Sequence, residues 1–461
     1  MNILAREKEI KVEERKENKM GVMPINKLLI SMSLPMMISM LIQALYNIVD
    51  SMFVAQISEN ALTAVSLAFP IQNLMIAVAV GTGVGINAFL SKSLGEKEYD
   101  TANKIAKNAI FLALMSYLVF LLFGIFGANM FFRTQTDIVD IVNQGTTYLR
   151  VCCILSFGVF FQITFERLLQ STGKTIYNMY TQGLGAIINI ILDPIMIFGL
   201  FGFPKMGVGG AALATVTGQI VAAIAGIFFN HYKNHEIDID LKGFRPSLNI
   251  IKKIYAVGVP SIIMSSIASV MTFGMNKILI TFSSTATAVF GVYFKLQSFI
   301  FMPVFGLNNG MVPIVSYNYG AKKKDRITKT LKTGIVYAVI IMFIGFLIFE
   351  FLPDKLFMIF NASDTMMQIG VPALRIIGIH YLIAGVSICI MSVCQALGHG
   401  IASLIISAVR QLAVLLPAAF ILSKLWGINA TWWAFPIAEI VGVSLCIYFI
   451  YRIYHRDLKY L

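Results

Sequence analysis

The sequence contains little charge. Asp, Glu, Lys and Arg together make up 13% of its 461 residues, whereas hydrophobic residues make up 57%. Soluble globular proteins carry about 25% charged residues, so this composition excludes an ordinary soluble domain. It indicates an integral membrane protein built from apolar helices.

Residue types that support catalysis or bind metals are also scarce. The chain has five histidines and five cysteines, with no HExxH motif, no CxxC pair and no Walker motif. Gly81 and Gly83 resemble a nucleotide-binding loop only superficially, because they follow no strand, and we expect them to allow close helix packing. We therefore predict neither an enzyme, nor ATP-driven transport, nor a cofactor. The cysteines are expected to act as small core residues: Cys152, Cys153, Cys389, Cys394 and Cys446.

The first 27 residues are rich in charge and lack the short apolar core of a cleavable signal peptide. They are predicted to form a cytoplasmic tail, disordered in part. The net charge of +13 could suggest nucleic-acid binding, but the basic residues are spread over the loops between apolar segments. Membrane topology explains that spread better, so no nucleic-acid partner is expected.

Apolar segments long enough to cross a bilayer occur twelve times. The charge distribution sets their orientation: 26 Lys and Arg residues lie in the tails and loops on one side, and four lie on the other. The positive-inside rule then places both termini in the cytoplasm. The predicted spans are 28–57, 61–90, 105–132, 138–169, 175–201, 207–232, 250–282, 286–316, 328–352, 366–396, 401–423 and 428–452.

The second half of the chain repeats the first with an offset of about 225 residues. Leu34-Pro35 aligns with Val259-Pro260, and the Gly-containing turn after Gln170 aligns with the turn after Gln395. Because each repeat has six spans, the copies are parallel and related by an axis along the membrane normal. The sequence therefore predicts two six-helix bundles facing a central cleft, an arrangement suited to alternating access. The predicted divisions are a tail at 1–27, an N-terminal bundle at 28–232, a cytoplasmic linker at 233–249, a C-terminal bundle at 250–452 and a tail at 453–461.

Two carboxylates occur deep within apolar spans of the first repeat only. Asp193 precedes Pro194, and Asn189 lies one helical turn earlier on the same face. Ionisable residues in a membrane are costly and usually functional. Asp50, in the first span, aligns with Met275 in the second repeat. Close carboxylates of this kind could hold a proton or share a cation such as Na⁺.

Further polar residues share helical faces with these acids. Gln43 and Asn47 lie on the face of Asp50, while Gln162 and Glu166 share a face of the fourth span. They could instead hold the helices together by hydrogen bonds, and for the glutamines we leave both interpretations open. Arg410 and Glu439 are expected to form a structural ion pair rather than to bind substrate. Proline kinks are predicted at Pro35, Pro194, Pro260 and Pro417.

In combination and order, several motifs resemble those of the multidrug and toxic compound extrusion (MATE) transporters. The resemblance covers essentially the whole chain after the tail. It is carried by Leu34-Pro-Met-Met, Tyr46-Asn-Ile-Val-Asp50, Phe89-Leu-Ser-Lys-Ser-Leu-Gly-Glu-Lys-Glu-Tyr-Asp100, Arg167-Leu-Leu-Gln-Ser-Thr-Gly-Lys174, Asn189-Ile-Ile-Leu-Asp-Pro-Ile-Met-Ile-Phe-Gly199 and Val208-Gly-Gly-Ala-Ala-Leu-Ala-Thr215.

The resemblance implies an antiporter that exports bulky, often cationic or amphipathic and aromatic compounds, driven by H⁺ or Na⁺. It assigns the cation site of the branch with acids in the N-terminal bundle to Asp50, Asn189, Asp193 and Thr215, and it adds Glu166. No other metal site is expected. A C-terminal cation site is disfavoured because span 7 has Lys277 and span 10 has no acid in its apolar part.

Methionine and aromatic residues lining the cleft would suit a promiscuous apolar pocket. Our candidates for the substrate cleft are Gln43, Tyr46, Asn47, Gln162, Tyr177, Tyr180, Tyr293 and Phe294. A flippase for a lipid-linked precursor and a channel remain the alternatives; intramembrane carboxylates argue against the first, and the repeat favours a transporter over the second. We expect a monomer in a plasma membrane or bacterial inner membrane.

Overall fold

A computed structural model describes residues 17–360 and 362–461, and all regular structure in these residues is helical. Predicted tail disorder over residues 1–16 lies outside the described residues. The first bundle contains α1 (Lys19–Val22), α2 (Ile25–Ala55), α3 (Glu59–Gly95), α4 (Tyr99–Leu122), α5 (Ala128–Gln135), α6 (Val139–Ile154), α7 (Phe157–Ser171), α8 (Thr175–Phe198) and α9 (Val208–Lys233). The second contains α10 (Leu248–Leu279), α11 (Ser284–Gly320), α12 (Lys324–Phe351), α13 (Pro353–Met358), α14 (Asp364–Gly378), α15 (Tyr381–Ala396), α16 (Gly400–Ala408), α17 (Leu416–Trp426), α18 (Ile428–Thr431) and α19 (Ala434–Ile453).

Ten spans among the described residues are continuous helical segments, and two are broken. The fourth span bends by 43° between α6 and α7, and the tenth bends by 51° between α14 and α15. The breaks occupy corresponding places in the two repeats. Counting each bent pair as one crossing gives the twelve spans that the sequence predicts.

The two bundles pack on each other through related helix pairs. Helix α2 lies against α11, and α3 lies against both α10 and α11. In the numbering of the repeat, α2–α11 and α10–α3 are the same pair seen from the two halves. Direct contacts between the bundles concentrate at the end of the membrane helices where both chain termini lie, as the bond from Ser33 Oγ to the Leu307 carbonyl oxygen illustrates (3.1 Å).

Two pairs of glycines permit this approach, and we call them the glycine seal: Gly81 with Gly306, and Gly95 with Gly320. A Cβ on Gly81 would lie 2.5 Å from Ile262, and one on Gly306 would lie 2.5 Å from Met37. A Cβ on Gly95 would overlap the Tyr317 carbonyl oxygen, and one on Gly320 would overlap that of Lys92. Each pair is related by the 225-residue offset, and so are the atoms it contacts. Gly81 therefore has the predicted close-packing role, whereas Gly83 packs on Arg167 of its own bundle.

Residues 17–24, which we call the entry segment, also join the bundles at this end. The Asn18 side chain donates to the Thr172 carbonyl oxygen of the first bundle (3.0 Å). From the second bundle, Arg326 Nη2 donates to the carbonyl oxygens of Met20 (2.9 Å) and Met23 (2.8 Å). The chain before the first membrane helix therefore reinforces the contact between the bundles.

Candidate functional site

The two intramembrane carboxylates meet where α8 packs against α2 and α9. The carboxyl groups of Asp50 on α2 and Asp193 on α8 lie within hydrogen-bonding reach of each other. Asn189 Nδ2 lies 3.4 Å from Asp193 Oδ1 and 3.3 Å from Thr215 Oγ1 on α9. Three helices thus bring together all four residues that the resemblance assigns to the cation site.

This cluster has more oxygen atoms than donors to satisfy them. Asp50 Oδ1, Asn189 Oδ1 and Asp193 Oδ2 are buried and have no hydrogen-bond partner, and Asp193 is 0% exposed. Unpaired buried acceptors are costly in an apolar medium. Carboxylate, amide and hydroxyl oxygens are hard ligands that suit a small cation, and a carboxyl pair can equally share a proton.

Glycines that sequence reasoning missed as site residues position Asn189 beside α9. A Cβ on Gly218 would lie 2.6 Å from the Gly185 carbonyl oxygen and 3.4 Å from Asn189 Cβ. Because neither glycine has a side chain, α8 and α9 approach closely at the level of the cluster. The sequence signal was a glycine in each helix near the polar stripe, but only the packing shows that they face each other.

Pro194 lies inside α8, and the helix continues as far as Phe198. Proline has no N–H to donate to the carbonyl of Ile190, so that carbonyl loses its usual helical partner one turn from the paired acids. Pro35 and Pro260 likewise lie inside α2 and α10. Pro417 lies at the start of α17, directly after a π-helical segment at Val409–Leu415.

Glu166 lies in a separate polar cluster between α7 and α8. Its side chain accepts hydrogen bonds from Gln162 Nε2 (3.1 Å), Thr181 Oγ1 (2.9 Å) and Gln182 Nε2 (2.9 Å). Unlike Asp193, this buried carboxylate has partners at both oxygens. The arrangement links Gln162 to an acid, as their shared helical face predicted, but it does not join Glu166 to the Asp50 cluster by a hydrogen bond.

Polar candidates on α2 lie around Asp50 with differing exposure. Gln43 hydrogen bonds to Tyr46, which lies close enough to Asp50 to feel its charge. Asn47, one helical turn before Ser51, is exposed. Sequence reasoning did not include Tyr148, a buried residue near Asp50 that accepts a hydrogen bond from Gln72 (3.1 Å).

The aromatic cleft candidates fall into two places. Tyr177 packs against Phe229 of α9 with ring centroids 4.8 Å apart, and Tyr180, which is 50% exposed, joins the same cluster. Tyr293 is 1% exposed within the C-terminal bundle, where Phe294 contacts it edge to face. Tyr293 therefore faces a small cavity inside the bundle.

The C-terminal bundle replaces the acids with apolar residues. Met275, the counterpart of Asp50, is completely buried in the hydrophobic core, and Leu416 stands where Asp193 stands in the first repeat. Lys277 lies 5.6 Å from the Phe273 ring centroid, and Lys295 lies 6.0 Å from that of Phe360. The described residues provide no ion-pair partner for either lysine.

The predicted ion pair between Arg410 and Glu439 is confirmed. Arg410 Nη1 lies 3.0 and 3.3 Å from the two carboxylate oxygens of Glu439, which is 3% exposed. Ser387 Oγ donates a further hydrogen bond to Glu439 (2.6 Å). The pair borders the cavity that Tyr293 and His380 also line, with a volume of about 80 Å³.

Removing one partner of this pair should destabilise the C-terminal bundle. Glu439→Gln leaves the Arg410 charge uncompensated in an apolar setting, and breaking a buried pair in this way costs about 3–5 kcal/mol. We expect a lower midpoint of thermal unfolding in detergent. The double variant Arg410→Leu/Glu439→Leu should recover most of the loss, because it leaves no unpaired charge. Losses that simply add in the double variant would contradict a stabilising pair.

Two six-helix bundles related by a pseudo-two-fold axis, with a buried polar cluster in one of them, define a multi-pass membrane transporter rather than an enzyme. The MatE family model matches residues 35–195 and again residues 260–421, with start points separated by the repeat offset. The chain therefore belongs to the MATE family.

Known proteins similar to this chain include multidrug exporters. The multidrug export protein MepA of Staphylococcus haemolyticus is 28% identical over 436 residues, covering 94% of each chain. MepA of Staphylococcus aureus is 25% identical over 425 residues, covering 92% of each. Among solved structures, an outward-facing multidrug resistance MATE family transporter of the MOP superfamily gives a TM-score of 0.90 at 25% identity, over 97% of this chain and 99% of that one. A MOP superfamily transporter from Pyrococcus furiosus gives 0.87 at 24% identity, over 95% and 98%, and it supports the fold alone.

Proposed function

We propose that this protein is a cation-coupled antiporter that exports bulky, often cationic or aromatic compounds, using Asp50, Asn189, Asp193 and Thr215 as its coupling site. The observation that carries the proposal is the pair of buried carboxyl groups surrounded by unpaired oxygens. Such a cluster is unfavourable in an apolar bundle unless something positive binds there. A bound H⁺ or Na⁺ would supply that charge.

The site chemistry accommodates either ion. A proton would lie between the carboxyl groups of Asp50 and Asp193, where it removes the repulsion between two negative charges. Sodium would be held by oxygens of Asp50, Asp193, Asn189 and Thr215. Glu166 serves the proposal as a neighbouring charge whose hydrogen bonds tie α7 to α8, and so to the helix that carries Asp193.

The proposed cycle uses the contact between the bundles as a gate. With both termini in the cytoplasm, the glycine seal closes the cytoplasmic side and the cleft faces outward. Cation binding at Asp50 and Asp193 would favour opening of that seal after substrate has left. Coupling requires only that cation and substrate bind the two conformations with different affinities.

The substrate class rests on similarity and on the cleft residues. The relatives in Staphylococcus are named as multidrug exporters, and the acids of the N-terminal bundle would attract cationic compounds. Tyr46 and Gln43 lie beside those acids and would line one wall. We propose a monomer in a bacterial plasma membrane, consistent with two bundles that enclose the cleft within one chain.

Transport into proteoliposomes with imposed gradients tests the proposal. A fluorescent cationic dye should move against its own gradient when either a pH gradient or a Na⁺ gradient is imposed alone, and flux should saturate with dye concentration. The matched control is the Asp50→Asn/Asp193→Asn double variant, which keeps side-chain size but removes both charges.

The outcomes separate the alternatives. Flux that follows neither gradient would contradict coupling. Flux that does not saturate would indicate a channel, and movement of a lipid-linked pyrophosphate with no movement of dye would indicate a flippase.

A further inference from the structure

A pocket of about 300 Å³ opens at the end of the C-terminal bundle where both termini lie. It is bordered by Gly398 and His399, by the start of α16 at Ile401, and by Phe449, Arg452 and Arg456 near the end of the chain. The pocket is far in sequence from the paired acids and shares no residue with the coupling site. None of the roles proposed above uses it.

The pocket has a positively charged rim. Arg452 is exposed and has no hydrogen-bond or ion-pair partner among the described residues. Arg456 lies 3.0 Å from Asp457, the carboxylate on this rim, and its side chain remains 61% exposed. Asp457 also bonds to His399 (2.6 Å), which holds α19 against the turn that precedes α16. One carboxylate facing two arginines leaves a net positive charge.

Backbone geometry adds to the attraction for anions. Helix α16 begins at Gly400, so the first N–H groups of that helix have no intrahelical acceptor and lie at the pocket mouth. Gly398 has a positive φ of 88°, and nothing lies within 4 Å of where its Cβ would be. At the corresponding turn in the first repeat, a Cβ on Gly173 would lie 3.1 Å from Lys19 of the entry segment. The protein covers one turn and leaves the other open.

The wall beside the charged rim is apolar and faces outward. Ile401 is 64% exposed and Ile405, one turn further along the same helix, is 41% exposed. Ala256 on α10 and Phe449 on α19 complete the wall. A ligand that fits both features has an anionic head and a hydrocarbon tail.

We propose that this pocket binds an anionic phospholipid, with the headgroup phosphate at Arg452 and Arg456 and an acyl chain along Ile401 and Phe449. Basic pockets between helices at the membrane surface suit such headgroups, because guanidinium groups form charge-assisted bonds with phosphate. The lipid would join α10, α16 and α19 at the end of the bundle that moves when the seal opens. This inference does not depend on which substrate is exported.

Native mass spectrometry of the full-length protein tests the site. The protein is incubated with equal amounts of phosphatidylglycerol and phosphatidylcholine, and bound lipid is counted. The wild type should retain phosphatidylglycerol preferentially. Each arginine should contribute about fivefold, the equivalent of about 1 kcal/mol, so Arg452→Gln/Arg456→Gln should lose most of the preference. Arg452→Gln alone, which breaks no bond among the described residues, should lose about fivefold.

The control removes the same charge elsewhere at this end. Lys329→Gln/Lys332→Gln changes two exposed lysines of α12 outside the pocket and should retain the preference. Equal losses in both double variants would overturn the assignment in favour of general surface charge. Equal binding of the two lipids by the wild type would overturn it as well. Displacement of the lipid by soluble glycerol phosphate at similar concentration would assign the site to free phosphate instead.

Discussion

Replacing Asp193 by asparagine is expected to abolish ion-driven export while leaving the fold intact. Asparagine has nearly the same shape, but it cannot take up a proton and it supplies no negative charge for Na⁺. Coupling free energies between sites are typically 1–3 kcal/mol, so the rate of export should fall by about 5- to 150-fold. Efflux of a fluorescent cationic dye from cells, normalised to the amount of protein in the membrane, measures the effect.

Two further variants make this test specific. Asp50→Asn should give a similar loss, because the two carboxyl groups lie within hydrogen-bonding reach of each other. Glu350→Gln removes a carboxylate near the end of α12 in the other bundle, where its side chain has no hydrogen-bond partner, and should export normally. Unchanged efflux by Asp193→Asn at normal abundance would remove that residue from the coupling site.

Filling the glycine seal should hold the two bundles apart. In Gly320→Val the new side chain would overlap the backbone of Lys92, and backbone cannot turn aside as a flexible side chain can. Forcing extra atoms into a packed contact costs about 1–3 kcal/mol, so the closed state should lose about fivefold or more of its population relative to open states. Export should fall because the cycle needs both conformations.

Thiol labelling reports the seal directly. A cysteine placed at Asn309, which accepts a hydrogen bond from Arg167 of the other bundle (3.2 Å), should react faster with a water-soluble maleimide in the Gly320→Val background. The five native cysteines are all buried, so their labelling should be slow. Gly291→Val is the matched control on the same helix, since nothing lies within 4 Å of its Cβ position. Equal labelling in both backgrounds would show that the seal tolerates the side chain.

Local sequence patterns were sufficient to predict the fold and part of the site. Apolar length predicted twelve crossings, and the 225-residue offset predicted two related bundles. Asn189 and Asp193 could be paired because helical spacing alone puts them on one face. The resemblance then added Asp50 and Thr215, and the structure brings all four residues together.

The rest depended on contacts between helices that no local pattern encodes. Glu166 and Asp193 are both buried acids in the sequence, but only packing shows that the first has three donors while the second has an oxygen with none. Tyr293 could not be placed inside its bundle before the neighbouring aromatic rings were known. Gly218 gained meaning only when Gly185 was found opposite it.

The glycine seal also determines which positions of the protein can vary. At Gly95 and Gly320 the opposing atoms are carbonyl oxygens of Tyr317 and Lys92, and every amino acid supplies a carbonyl oxygen. The fit is therefore independent of the side chains at those two opposing positions. Lys92 and Tyr317 are free to change during evolution or in a mutational library without loss of closure, whereas the glycines opposite them are not.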